Sequence, residues 1–199
     1  MAFTVTDFIK EAQNGARPAL FLAQVEWPQG IPTLGANARL PFLMKTANIP
    51  GMTLGEITIP FMGRTVKVAA TGRTFDNWET TIINDEQFLV RSRLEAWQDG
   101  INGLRSNAPV DAFTAPLSYR TSAKVTQFNQ RGIPIRTYKF ENVWPSVIAP
   151  IELSWESVDT IEEYSVTWTY DYFTATSSVE ALGDIGEGIG ERIRDILGS

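Results

Sequence analysis

Apolar and polar residues alternate along most of the chain, and this pattern predicts a series of short β-strands. In the first half the predicted strands are 19–26, 40–48, 54–61, 64–70 and 78–83. In the second half they are 119–129, 134–143, 148–155 and 163–173. Glycine, proline and asparagine are dense at 27–38, which predicts a loop, and Asn129–Gly132 predicts a hairpin turn. Many short strands joined in this way are typical of an antiparallel β-sandwich or barrel.

Two segments of the body instead show the three- and four-residue spacing of an amphipathic helix. Residues 2–14 predict a short helix that Thr6 caps. Asp85–Asn102 predict the main helix, with Asn84 or Asp85 as its cap and acidic residues in its first turn.

The C-terminal segment Val179–Leu197 has the same helical spacing, but glycines interrupt it. Each glycine inside a helix costs roughly 1 kcal/mol relative to alanine. The segment would therefore need a partner surface in order to fold. We accordingly predict a body of residues 1–173 and a Gly-rich amphipathic extension of residues 174–199.

Composition narrows the classes of function open to this body. The chain has 199 residues, of which 43% are hydrophobic, which is enough for one packed domain. It contains no cysteine and no histidine, so disulfides, thiolate metal sites and the commonest general base are excluded. The formal net charge of −6 argues against binding to nucleic acid through a basic stripe. Because no run is apolar enough to cross a bilayer and the N-terminus lacks a signal-peptide pattern, we expect no membrane span.

The remaining candidates for catalysis or ligand binding each have an ordinary structural explanation. The adjacent carboxylates Asp85–Glu86 and Glu162–Glu163 would suit a glycosidase, but such pairs at the start of a helix or strand usually complement the helix dipole or face solvent. The glycines of 183–190 miss the spacing of a nucleotide-binding loop. The tryptophans would suit a sugar-binding module, yet in a mainly β domain they are usually core or interface anchors. We place Trp78 and Trp168 in the core and expect no enzyme activity, cofactor or metal.

The segment 41–61 has features of a subunit interface. Pro50 and Pro60 bracket an apolar stretch, and proline within a strand is confined to sheet edges because it cannot donate to the ladder. Exposed edges pair with other chains unless they are protected. Two interpretations stay open here, an ordinary hairpin folded on its own sheet or a segment that packs across a subunit boundary. In the next strand, Val66 and Val68 are predicted to face inward.

A set of short motifs in the body follows the order found in one protein family. These motifs are Ala16-Arg17-Pro18, Ile59-Pro60-Phe61-Met62-Gly63-Arg64, Val66-Lys67-Val68-Ala69, Arg73-Thr74-Phe75-Asp76-Asn77-Trp78, Asn84-Asp85-Glu86, Trp97-Gln98, Val143-Trp144-Pro145, Leu153-Ser154-Trp155 and Asp171-Tyr172. Through them, residues 16–173 resemble the tail tube protein of contractile-tailed (myovirus-type) bacteriophages. Each motif alone is weak, and together they are specific. The loop at 27–38 looks longer than the family usually carries, and the chain from Thr174 onward looks like an addition.

The resemblance implies a mainly β fold, an antiparallel β-sandwich or barrel with one flanking α-helix, that assembles into hexameric rings. Sheets of the six subunits would join into a continuous inner β-barrel, and stacked rings would form a tube inside the contractile sheath. The implied protein is a structural virion component, assembled in the host cytoplasm, whose lumen passes genome DNA without specific binding. Its implied partners are the tail sheath, baseplate, terminator and tape measure proteins. A net charge of −6 suits a lumen that repels DNA.

We place two surfaces of such a tube on this sequence as hypotheses. The subunit or ring interface is predicted at Met52, Leu54, Ile57, Phe61, Met62 and Arg64. An outer helix that contacts the sheath or a neighbour is predicted at Phe88, Arg91, Arg93, Leu94 and Trp97.

Three other classes of protein stay open as alternatives. The nearest is a tube-like baseplate component or a secretion-system tube subunit built on a similar fold. A carbohydrate-binding β-sandwich module is more distant, and a histidine-free glycosidase is the third.

Overall fold

The computed structural model describes residues 4–12 and 15–177, and antiparallel strands dominate it, which confirms the predicted mainly β fold. The chain divides into two compact units. Among the described residues, the smaller unit comprises 4–12, 15–22, 125–137 and 175–177, and the larger unit comprises 23–124 and 138–174. The predicted extension lies outside the described residues beyond Ser177, so the boundary at 173 stays a prediction.

Nine strands occur in the described part of the chain. They are β1 (Phe21–Val25), β2 (Met44–Ala47), β3 (Met52–Phe61), β4 (Arg64–Phe75), β5 (Trp78–Ile83), β6 (Thr121–Phe128), β7 (Pro134–Ile148), β8 (Glu163–Thr169) and β9 (Tyr172–Ser177). Seven of them form the main sheet, in the order β1-β6-β7-β8-β5-β2 with β9 paired to β7. Strands β3 and β4 form a second sheet of their own. The turn predicted at Asn129–Gly132 joins β6 to β7 and is confirmed.

Short helices connect these strands. They are α1 (Val5–Ala12), α2 (Ala36–Leu43), α3 (Leu89–Ile101), a 3-10 helix (Asp111–Phe113) and α4 (Pro116–Tyr119). The first helix lies where the sequence predicts one, but Thr4 caps it instead of Thr6. The Thr4 hydroxyl accepts a hydrogen bond from the Asp7 N–H at 3.2 Å and donates one to the Asp7 carboxylate at 2.6 Å.

Helix α2 occupies residues for which the alternation predicts a strand beginning at Leu40. Ala36 and Leu40 are both buried, one helical turn apart, whereas Phe42 is 85% exposed. The burial therefore follows the four-residue spacing of a helix and not the two-residue spacing of a strand. The predicted strand is confirmed only at its end, where β2 begins at Met44.

Helix α3 begins at Leu89, later than its predicted start at Asp85. Phe88, just before it, has a left-handed conformation with φ of 51°, which stops the α-helix from extending further back. Asp85 nevertheless acts on the helix start, because its Oδ1 accepts a hydrogen bond from the Leu89 N–H at 3.1 Å. The helix lies against β7, where Gln98 Nε2 donates to the Pro145 carbonyl at 3.2 Å.

Strand β7 runs through Trp144-Pro145, where the sequence predicts a break. Pro145 lies opposite Trp168 of β8, and the register shifts between Pro145 and Val147. The proline nitrogen, which has no hydrogen to donate, thus falls at an irregularity of the ladder where a regular bond is not required.

Two further strand predictions are corrected. The segment predicted to be extended at 148–155 is a loop after Ile148, where turns such as the Ser157 N–H to Ser154 carbonyl bond replace strand pairing. The single strand predicted at 163–173 is divided into β8 and β9. The chain turns at Asp171, whose carboxylate accepts hydrogen bonds from Asn142 at 2.7 Å and from Arg120 at 3.3 Å.

The core of the larger unit is built on packed aromatic rings. Trp78 stacks on Phe140 with ring centroids 4.8 Å apart, and on Trp168 at 5.7 Å. Trp97 of α3 meets the edge of Trp168 at 6.1 Å, which joins the helix to the sheet. All four rings are fully buried, so the predicted core positions of Trp78 and Trp168 are confirmed. The Trp168 Nε1–H donates to the hydroxyl of buried Thr80 at 2.9 Å.

Replacing Thr80 by valine should destabilise the protein without changing its packing volume. The Thr80→Val change leaves the buried Trp168 N–H without an acceptor, which should lower the free energy of unfolding by about 1–3 kcal/mol. The matched control is Thr81→Val, because Thr81 follows in the same strand on the opposite face. Urea unfolding monitored by tryptophan fluorescence measures both, and equal stability of the two variants would contradict the role of the Thr80 hydroxyl.

Candidate assembly surface

An antiparallel hairpin, Met52–Phe75, stands apart from the main sheet and is called the hairpin from here on. Its two strands pair only with each other, and their register ends with Phe61 opposite Arg64. Met62 and Gly63 form the turn, with positive φ values of 44° and 77°, as a tight two-residue hairpin turn requires. Among the described residues, therefore, neither outer edge of the hairpin pairs with another strand.

One face of the hairpin is apolar. Ile57 lies opposite Val68 and Ile59 opposite Val66, so these side chains share a face, which alternation extends to Phe61. Their exposed fractions lie between 46% and 52% for the four aliphatic residues and reach 61% for Phe61. Val66 and Val68, predicted to face inward, are therefore exposed, because no second layer within residues 4–12 and 15–177 covers this side. These five side chains are called the apolar face.

The opposite face of the hairpin is polar. Thr58 lies opposite Lys67, and Glu56 lies opposite Ala69. Lys67 Nζ forms an ion pair with Glu56 Oε1 at 2.7 Å. Water can solvate this polar face. Only the apolar face of the hairpin therefore gains free energy when a neighbour covers it.

All six residues predicted at the interface lie in the hairpin and are exposed, namely Met52, Leu54, Ile57, Phe61, Met62 and Arg64. The structure nevertheless separates them. Met52 and Leu54 lie beyond a register shift near Gly55, and strand alternation places them on the same face as Glu56. Their predicted contact with another subunit stays a prediction.

Three residues that complete the apolar face are not among the six predicted interface residues. Ile59 lies in the apolar stretch between Pro50 and Pro60, for which an ordinary hairpin stayed the alternative, and Val66 and Val68 are predicted to face inward. The alternation in 64–70 indicated that two valines share one side of a strand. The alternation did not indicate whether that side faces a core or solvent, because this depends on whether another part of the structure covers it.

The base of the hairpin is fixed to the larger unit by aromatic packing and hydrogen bonds. Phe75 packs against Phe173 with centroids 5.6 Å apart and against Tyr170 at 6.1 Å. The Tyr170 hydroxyl donates to the Asp76 carbonyl at 2.7 Å, and the Asp76 N–H donates to the Gly51 carbonyl at 3.2 Å. Burial, helped by the nearby charge of Asp76, raises the pKa of Tyr170 to about 12.

The predicted outer surface of α3 is corrected at two positions. Leu94 and Trp97 are 0% exposed, so neither can contact a sheath or a neighbour. The α3 stripe that contains them faces the sheet, since the Trp97 ring packs against Trp168 of β8. Trp97 Nε1 also donates to the Tyr119 carbonyl of α4 at 2.9 Å. Phe88, at the helix start, is 44% exposed, and its predicted contact with a partner stays a prediction.

The two arginines of α3 are half-buried and are bound within the chain. Arg91 Nη1 donates to the Ala149 carbonyl at 3.1 Å, and Arg91 Nε donates to Glu95 at 2.9 Å. The Arg91 guanidinium also lies 4.9 Å from the centre of the Tyr164 ring, whose pKa is raised by burial and lowered by that guanidinium, with burial the larger effect. Arg93 Nη1 lies 3.5 Å from the Pro32 carbonyl. Both side chains therefore stabilise the subunit itself, and their predicted role toward partners stays a prediction.

A loop of residues 150–162, called the acidic loop, is a second exposed apolar surface in the larger unit. It joins β7 to β8, and its large side chains Leu153, Trp155, Val158 and Ile161 are all strongly exposed. The sequence predicts an extended strand over residues 148–155, and it indicates that Trp155 is an anchor of a core or an interface. The exposure excludes the core for Trp155.

Both carboxylate pairs that would suit a glycosidase take part in structural contacts. Asp85 forms an ion pair with Arg39 at 3.2 Å in addition to its bond at the start of α3. Glu162 accepts a hydrogen bond from Asn84 at 2.8 Å, and Glu163 pairs with Lys45 at 2.6 Å. Within 4–12 and 15–177, no cluster of three or more acidic side chains is arranged to hold a metal ion. None of the helices in these ranges has the length and apolarity needed to cross a membrane.

Comparison with known proteins gives one consistent result. The sequence model of a family described as phage tail tube protein matches residues 17–176. The tail tube protein gp19 of Enterobacteria phage T4 is 28% identical over 172 residues, which cover 85% of this chain and 98% of gp19.

Solved structures share the fold at low sequence identity. A chain of the anti-feeding prophage baseplate has a TM-score of 0.60 at 11% identity and covers 82% of this chain and 97% of its own. A chain of the sheath–tube complex of an extracellular contractile injection system has a TM-score of 0.51 at 13% identity, covering 88% of this chain and 99% of its own.

The buried Tyr170 hydroxyl should make the stability of the hairpin base sensitive to alkaline pH. Its pKa is about 12 in the folded protein against about 10 when exposed, so its stabilising contribution is complete below pH 10 and is lost as the pH rises toward 12. Tyr170→Phe should lose about 1 kcal/mol at neutral pH through the missing hydrogen bond, and should show a shallower decline above pH 10. Urea unfolding at a series of pH values tests this, and parallel curves for the two proteins would contradict it.

Proposed function

The chain belongs to the phage tail tube protein family, and we propose that its copies form hexameric rings that stack into a tube, with the hairpin as an assembly surface. The family is shown by the match over residues 17–176 and by the likeness to the gp19 tail tube protein. The protein is a structural component of a contractile phage tail and is located in the virion.

The observation that carries the proposal is the uncovered apolar face. Contiguous exposed apolar surface on a soluble protein usually marks an interaction site. Each square ångström of it removed from water contributes about 25 cal/mol, so a neighbour that covered the hairpin would gain substantial free energy. The face belongs to a two-stranded sheet whose outer edges pair with no other strand of the described chain, and these edges also offer backbone groups to that neighbour.

The edges of the main sheet provide a route to ring closure. Strands β1 and β2 lie at the two ends of the strand order, and each has a strand partner on one side only within the described residues. Edge strands are templates for pairing with another chain. Successive contacts of this kind around a ring of six copies would produce the continuous inner barrel, because a head-to-tail contact closes when its rotation divides a full turn.

The remaining partners follow from the position of such a tube. The sheath would surround it, while baseplate and terminator proteins would cap its ends and a tape measure protein would occupy the lumen before DNA does. A subunit with a net charge of −6 would repel DNA and allow it to slide through. The role is structural, and no chemical step is assigned to the subunit.

A tube-like baseplate component is a second candidate, and one observation favours it. The TM-score of 0.60 is with a chain from the structure of a baseplate assembly. Addition of purified sheath protein distinguishes the two candidates. A tube subunit should form long tubes that the sheath decorates along their length, whereas a baseplate component should form rings or short stacks.

Charges placed on the apolar face should abolish assembly and leave the fold intact. The double variant Ile57→Asp, Ile59→Asp puts two carboxylates where a neighbour would exclude water, and unpaired buried charges are strongly unfavourable. Because both positions are about half exposed in the subunit, its free energy of unfolding should fall by no more than about 2 kcal/mol, from poorer strand propensity and lost cross-strand contacts. Negative-stain electron microscopy and sedimentation of the concentrated protein measure tube formation.

The matched control uses the polar face of the same hairpin. Thr58→Asp, Thr65→Asp adds the same charge to the opposite side and should retain tubes. Tubes of normal length from the Ile57→Asp, Ile59→Asp protein would contradict the proposal that the apolar face is an assembly surface.

A further inference from the structure

The hairpin and the acidic loop leave the main sheet at opposite ends. At one end, Ala47 of β2 lies opposite Thr80 of β5, and the hairpin connects these two strands there. At the other end, Ile83 of β5 lies opposite Glu163 of β8, and the acidic loop enters β8 at this point. Strand β5 has six residues and is therefore about 20 Å long. The two exposed surfaces are separated along the strand direction by about that distance.

The acidic loop combines exposed apolar side chains with uncompensated negative charge. Its acidic residues are Glu152, Glu156, Asp159 and Glu162, and it contains no lysine or arginine. Only Glu162 has a side-chain hydrogen bond, to Asn84, among the described residues. The loop borders a pocket of about 520 Å³ whose lining includes Ile151, Leu153 and Ile161 together with Glu152. Such a pocket suits an apolar or cationic side chain from outside.

The hairpin has the opposite charge. It contains Arg64, Lys67 and Arg73 but only one acidic residue, Glu56, so its net charge is +2 in a chain whose total is −6. Lys67 is paired with Glu56. Arg64 and Arg73 form no ion pair with any residue in the described ranges. Arg64 lies opposite Phe61, beside the apolar face.

We propose that the acidic loop of one copy receives the hairpin of the next copy along the tube. This inference rests on the function proposed above and names the partner of the hairpin. The apolar face packs against the exposed side chains around Trp155, and Arg64, which lies opposite Phe61 on the same face, lies among the loop carboxylates. The hairpin and the acidic loop both expose apolar side chains, and their net charges are opposite. The opposite charges favour the correct pairing of the two surfaces and its register.

The placement of the two surfaces explains why the contact builds a stack. A contact between two different patches is head-to-tail, and it continues as an open stack when successive copies are displaced along the tube axis, which two patches at opposite ends of the strand direction permit. Each added copy then covers the hairpin below it and exposes a new one. A hairpin-to-hairpin contact would instead close after two copies.

A disulfide between copies tests the contact directly, because the natural chain has no cysteine and each introduced thiol is unique. In the full-length variant Ile59→Cys, Trp155→Cys, mild oxidation of assembled tubes should produce a ladder of dimers, trimers and larger species on a non-reducing gel. The controls are Ile59→Cys alone and Ile59→Cys with Arg105→Cys, an exposed position outside both surfaces. Monomers only from the paired variant, or an equal ladder from the controls, would overturn the inference.

Charge reversal provides an independent measurement. Arg64→Glu should abolish tubes, as should Glu152→Arg with Glu156→Arg, and the three changes together should restore them. Arg73→Glu, on the opposite face of the hairpin, is the matched control and should retain tubes. If the wild type forms no rings or tubes, the proposed function fails. If the wild type forms tubes and both reversed variants do so as well, the proposed function stands and this inference is wrong.

Discussion

The antiparallel pairing of β5 with β8 is the contact on which the rest of the larger unit depends. It places Trp78 opposite Trp168, and these rings, with Phe140 and Trp97, form the buried aromatic core that binds α3 to the sheet. Since Thr80 lies on the same face of β5 as Trp78, its hydroxyl is within reach of Trp168 and accepts a hydrogen bond from the indole N–H. The same register determines where the chain leaves the sheet, so the positions of the hairpin and the acidic loop follow from the packing of the core.

Charged residues in this protein divide by what they contact. Near the core they form hydrogen bonds and ion pairs within the chain. Asp85 accepts a hydrogen bond at the start of α3, Glu163 pairs with Lys45, and Arg91 binds a carbonyl at the end of β7. In the sequence such residues look like candidate catalytic groups. Residue spacing alone does not reveal a hydrogen-bond or ion-pair partner that is distant in the chain. The charges without ion pairs in the hairpin and the acidic loop accompany exposed apolar side chains, which is the composition expected of surfaces that another protein covers.

Much of the fold could be predicted from the sequence, because two-residue alternation directly reports a sheet with one covered face. Strand β5 is an example, since its predicted and observed bounds are both 78–83. Helix α2 was missed because Leu40, Phe42 and Met44 alternate by chance, and only burial distinguishes Leu40 from Phe42. The candidate site was predicted in part. Motif order located the hairpin, but neither the uncovered side of Val66 nor the exposure of Trp155 is a local property, because each depends on which other elements pack nearby.

The separation of the hairpin from the main sheet has a consequence for how such proteins diverge. Its side chains contribute little to the core, so under the assembly proposed above substitutions there would change which copies fit together at almost no cost in folding. The aromatic core, by contrast, tolerates few changes. Lineages can therefore drift apart in assembly preference while keeping one architecture, and two related viruses that infect the same cell would each build particles from their own subunits.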